Sequence, residues 1–183
     1  MEKERGHAKW KEQMNQAAYD AIKSSWKKFF RLRSLCTWID ERCIGRTRFD
    51  VPPWYAKRGA TSIVVHDPLT ATDIAELQEA AIFANRSFVI HMFAILQAHD
   101  IIEFNEPVKG TCSATPYVQL LKKLRNLFAH GDPQSFDPTD KFQSEAAPLF
   151  EKLFPGIPKF GLDIDKVLEP LKDQVLDFIK NET

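Results

Sequence analysis

Apolar residues recur at helical spacing over most of this chain, and the interruptions divide it into segments. From about His7 to Cys43 the positions Trp10, Met14, Ala17, Ala21, Ser25/Trp26, Phe29, Leu32, Cys36, Ile39 and Cys43 keep a helical period. No Pro or Gly intervenes between Gly6 and Gly45, so residues 1–45 read as one long helix, or two with a slight break, stopped at Gly45. A second helix starts where Thr70-Ala71-Thr72-Asp73 resembles a capping box and runs to about Phe104. Its interior, SFVIHMFAIL, is apolar nearly all round, the mark of a central helix. Asn85, Arg86 and His91 are its polar intrusions, and His91 reads as a hydrogen-bonded core histidine rather than a ligand. A third helix spans about Pro116 to His130, ended by Gly131 and Pro133. It is expected to pack antiparallel on the second through Leu120, Leu124 and Leu127. Residues 138–153 form a fourth helix, PGIPKFG a turn, and Asp163 to Lys180 a fifth.

Residues 46–71 break the pattern. Pro52-Pro53 and Pro68 exclude regular helix there, while the β-branched TSIVVH suits a short strand or an extended loop. The expectation is an all-α protein: an antiparallel bundle of four to five helices with a long irregular insertion between the first two long ones. A single domain covers 1–183, comprising 1–45, the insertion 46–71, the helical pair 72–135 and the C-terminal helices 136–183.

Composition narrows the class. A chain of 183 residues with 44% hydrophobic and 27% charged residues is ordinary for a globular domain. No glycine-rich phosphate loop occurs. The charged N-terminus is unlike a secretory leader, and the longest apolar run, interrupted by His91, falls short of a membrane span. The three cysteines lack paired spacing, so neither a disulfide framework nor a zinc site is expected, and a reducing cytoplasm is the natural setting. Net charge is zero but unevenly spread. Residues 1–59 carry 14 Lys/Arg against 7 Asp/Glu (+7), residues 60–135 carry 5 against 8 (−3), and residues 136–183 carry 6 against 10 (−4). Such a distribution allows a local anionic partner such as RNA, or simply a solvated basic helix beside acidic neighbours. In the insertion, Arg46, Arg48, Trp54, Tyr55, Lys57 and Arg58 suit phosphate attraction and base stacking, with Trp54, Lys57 and Arg58 the candidate substrate contacts. The same residues would also serve as an aromatic plug over the bundle.

The chemistry concentrates in LKKLRNLFAH, residues 121–130 with Leu120 before them. At about 100° per residue, Leu120, Leu121, Leu127 and Phe128 fall within about 60° of Leu124, whereas Lys122, Arg125, Asn126 and His130 lie off that stripe. Asn126 and His130 are neighbours at i and i+4; Arg125 and His130 diverge. A guanidinium binds phosphate bidentately and an imidazole moves protons near neutrality, the pair that phosphodiester chemistry needs. A solvated polar face is the alternative.

Arg125-Asn126-Leu127-Phe128-Ala129-His130 resembles the signature of the HEPN superfamily, an arginine, usually followed by a polar residue, and a histidine a few residues on. In that family the motif sits late in a helix of an antiparallel bundle, after a long helix, an order that residues 70–135 match. The resemblance implies a homodimer with two motifs facing across a cleft, and a metal-independent endoribonuclease of toxin–antitoxin or phage-defence type. Arg125 would then bind the scissile phosphate, His130 act as general acid/base, and Asn126 orient His130 or contact the phosphate, with Lys122 adding substrate contact. The nucleophile would be the RNA's own 2′-hydroxyl, so no metal or other cofactor is implied. Partners would be RNA, a second copy of the chain and an antitoxin protein, with no membrane. Some members add a residue from the preceding helix, for which Glu79, Asn85 and Arg86 are candidates. The other functional class is a non-catalytic HEPN module for dimerisation, partner binding or RNA binding.

Overall fold

The computed structural model describes residues 2–51, 61–130 and 136–181. Among these, five α-helices and one small hairpin make an all-α fold with 69% helix. The helices are α1 (Glu2–Trp38), α2 (Ala71–Ala98), α3 (Thr115–His130), α4 (Lys141–Leu153) and α5 (Glu169–Asn181). The chain divides into two compact units, residues 26–85 and residues 1–25 with 86–183.

In the unit of residues 26–85, α1 ends at Trp38, seven residues before the expected stop at Gly45. Asp40 accepts the Arg42 N–H and starts a separate 3-10 turn over Glu41–Cys43. Gly45, at φ 75°, then turns the chain, and its N–H donates to the Leu69 carbonyl. The stretch expected to be irregular contains a hairpin. Strand β1 (Arg48–Val51) pairs antiparallel with β2 (Thr61–Val64), with Phe49 opposite Ile63. The β-branched run thus found a partner in RFDV, whose two charged residues hid its strand character. A small apolar cluster of Ile39, Cys43, Phe49 and Ile74, backed by Val65, Leu69 and Leu77, closes this region.

The start of α2 matches the capping-box reading. Asp73 accepts from both the N–H and the hydroxyl of Thr70 at 2.7 Å, and the Asp73 N–H donates back to the Thr70 hydroxyl at 3.2 Å. Its end does not match. The helix stops at Ala98, not near Phe104, because Asp100 adopts φ 55°. The Ile101 N–H then reaches the Leu96 carbonyl and the Asp100 N–H the Gln97 carbonyl, the paired bonds of a Schellman cap. By length and composition α2 could cross a membrane, contrary to the sequence expectation. Its most apolar window is 44% buried within the protein.

In the unit of residues 1–25 and 86–183, α3 lies closest to α4 and α5. Leu120, Leu121, Leu124 and Leu127 are at most 1% exposed, so the stripe expected to face the core does so. They share that core with Phe150, Leu171, Val175 and Phe178. The expected antiparallel packing of α3 on α2 through Leu120, Leu124 and Leu127 gives way to packing on α4 and α5, and α2 reaches α3 through side chains such as Arg86 and Phe93. Helix α4 starts at Lys141, later than expected, because an Asp137–Thr139 side-chain turn occupies the preceding residues. Asp140 caps the Gln143 N–H, and the Gln143 side chain accepts from Asp137 N–H. The last segment opens as a π-turn (Ile164–Leu168) capped by Asp163, then tightens into α5. Pro170, which has no N–H to donate, is the second residue after this wide turn.

Candidate functional site

The last two turns of α3 carry Lys122, Arg125, Asn126 and His130, each held differently. Arg125 is half-buried. Its guanidinium carbon lies 4.7 Å from the Phe104 ring centroid and 5.6 Å from that of Phe93, and one terminal nitrogen donates to Asn126 Oδ1 at 3.0 Å. Phe93 is 1% exposed and comes from α2; Phe104 is 41% exposed and comes from the segment that follows it. The two rings meet edge to face, with centroids 6.4 Å apart. A planar cation over such a corner is attracted by the negative ring faces and loses rotational freedom. The result is a fixed guanidinium with the Asn126 amide beside it.

His130 ends the helix on another side. It is exposed, and its ring stacks on Phe142 of α4 with centroids 5.1 Å apart and planes at 16°. Phe142 is half-buried and sits in the first turn of α4, which Asp140 caps. The imidazole is thus exposed, with one ring face laid against Phe142. Arg125 and His130 are five positions apart, about 140° around the helix, and they lean on different elements. The structure bonds Arg125 to Asn126 and stacks His130 on a different partner, Phe142. Asn126, the i−4 neighbour of His130, bonds to Arg125 instead.

Lys122 is half-buried, and its ammonium donates to the carbonyls of Glu106 (2.6 Å) and Glu103 (3.4 Å). Burial holds its pKa below the ordinary lysine value. This cation secures the connection between α2 and α3, the same segment that supplies Phe104. Trp54, Lys57 and Arg58, the other expected substrate contacts, lie outside the described residues.

Of the three α2 candidates, Arg86 reaches α3, with its guanidinium carbon 5.8 Å from the Phe128 ring centroid. Asn85 is buried and accepts from Arg33 Nε at 3.0 Å, and Glu79 is exposed. His91 is hydrogen-bonded as expected, with Nε2 3.0 Å from Ser25 Oγ, but it sits on an exposed rather than a core position. Sequence reasoning missed Phe93, Phe104 and Phe142, the rings that orient the two candidate groups. Phe142, the first aromatic after the Asp140 cap, was the one with a local signal. No three His, Cys, Asp or Glu side chains among the described residues are grouped to hold a metal ion. Comparison with protein-family models, curated proteins and solved structures finds no match to this chain.

Proposed function

We propose that this chain is a metal-independent endoribonuclease of the HEPN type, built on a HEPN-like antiparallel bundle. It acts in the cytoplasm as a homodimer and serves as the toxin of a toxin–antitoxin or phage-defence system. One observation carries the reading. At one end of α3 a guanidinium lies over Phe93 and Phe104 and donates to Asn126, and an exposed imidazole stacks on Phe142. They stand on separate flanks of the helix. Two copies related by a two-fold axis would set Arg125 of one against His130 of the other.

In that arrangement Arg125, with Asn126 beside it, grips the non-bridging oxygens of the scissile phosphate. One His130 takes the proton of the 2′-hydroxyl as its oxygen attacks phosphorus. The P–O5′ bond breaks, and the same His130, now protonated, gives that proton to the leaving 5′-oxygen. The products are a 2′,3′-cyclic phosphate and a 5′-hydroxyl. An antitoxin protein would act by covering the cleft.

The second reading, a non-catalytic dimerisation, partner-binding or RNA-binding module, is favoured by the same arginine's contacts. A guanidinium lying over two rings and bonded to Asn126 also serves packing alone. End analysis of cleaved RNA separates the two. With EDTA present, purified protein should leave 2′,3′-cyclic phosphate and 5′-hydroxyl ends. Cutting that requires added metal and leaves 5′-phosphates would overturn the proposed chemistry, and intact RNA would favour the binding module.

A further inference from the structure

Between Asp20 and Asp40 the sequence holds five Lys/Arg and no Asp or Glu, more basic residues than any other stretch between successive acidic residues. Within it, Trp26 and Phe30 lie at i and i+4, and Lys27 and Arg31 form a second i, i+4 row immediately beside the first. These four residues line a groove of about 430 Å³. The rings are organised among themselves. Trp26 lies 5.3 Å from the buried Phe29 and 5.9 Å from Phe30, which is 37% exposed, and Lys27 and Arg31 are exposed.

We infer that this face of α1 is a docking surface for single-stranded RNA, on which bases stack against Trp26 and Phe30 while successive phosphates meet Lys27 and Arg31. Charge complementarity identifies a polyanion, and the parallel rows of rings and cations identify one whose bases and phosphates alternate along its length. Cβ atoms four positions apart on a helix lie about 6 Å from each other, close to the spacing of phosphates in an extended strand. An anionic lipid surface fits less well. Such a surface needs one broad apolar stripe, whereas the exposed Phe30 and Leu32 lie about 200° apart around α1. The choice of RNA over DNA rests on the RNase reading; the stacking surface itself does not.

The test uses full-length protein carrying His130→Ala, so that bound RNA stays intact, and fluorescence anisotropy with a labelled single-stranded oligoribonucleotide. Lys27→Gln with Arg31→Gln should weaken binding at least tenfold and lower the slope of log affinity against log salt by about 1.4. Phe30→Leu, its fold checked by circular dichroism and thermal denaturation, should weaken binding about tenfold with the salt slope unchanged. Undiminished RNA affinity in both variants overturns the inference. So does equal loss of heparin or of anionic vesicles on the Gln variants with no effect of Phe30→Leu, which marks a plain cation patch. Failure of this inference is distinguishable from failure of the enzyme reading. RNA cleavage with unchanged KM in the Lys27/Arg31 variant sinks the docking surface and spares the enzyme. A protein that binds RNA through this face yet never cuts it does the reverse.

Discussion

At the scale of single residues, Arg125 and His130 are held by different physics, and substitution should separate them. His130 is exposed and touches Phe142 through one stacking contact, so His130→Ala should change stability by no more than about 0.5 kcal/mol. Arg125 lies over Phe93 and Phe104, so Arg125→Ala should cost about 1–2 kcal/mol, a loss that helical phase alone does not reveal. Thermal denaturation checks both, and equal stability of the two variants would mean that the ring contacts contribute nothing. For activity the order reverses in kind. Loss of the proton-transfer group should lower cleavage about 10²–10⁴-fold with RNA affinity kept, while loss of the guanidinium should weaken affinity as well. The motif residues were legible because their spacing is local. The rings that orient them were not, because Phe93 and Phe104 come from more than 20 positions upstream and only the fold brings them to Arg125.

Among the secondary-structure elements, legibility followed the same division. The start of α2 could be read from Thr70 and Asp73, since a capping box is completed within four residues. Its end was missed because an aspartate, not a glycine, takes the left-handed position at residue 100. Strand β1 was missed because Arg48 and Asp50 mask it and its pairing with β2 is not local. The capping box also makes a pH prediction. Bonds from the Thr70 N–H and hydroxyl hold the Asp73 carboxyl below its ordinary pKa of 3.8. A depressed carboxyl pKa favours the folded state above that ordinary value, and the advantage disappears as pH falls through the lower, folded value. The protection factors of amides in the first turn of α2, exchange rates corrected for the intrinsic pH dependence, should therefore fall on acidification below about pH 4, and Asp73→Asn should remove that step. A first turn whose exchange is insensitive to Asp73 would show that packing alone secures the helix start. Thr70→Ala should cost about 1 kcal/mol through the same bonds.

For the molecule as a whole, the divergence of Arg125 and His130 within one helix makes a second copy necessary to the proposed chemistry. Light scattering should accordingly give a dimer, and cross-linking through cysteines placed at exposed positions beside His130 should join two chains symmetrically. A monomer at high concentration would remove the composite site. The most direct measurement is cleavage of single-stranded RNA in EDTA by wild-type protein, by Arg125→Ala, by His130→Ala and by an equal, re-equilibrated mixture of the two variants. Wild type should cut and each variant alone should be nearly inactive. The mixture should recover about a quarter of wild-type activity, because half of its dimers are mixed and each of those keeps one of two sites intact. Wild-type protein that leaves the RNA whole, or variants that cut as fast as wild type, would contradict the account.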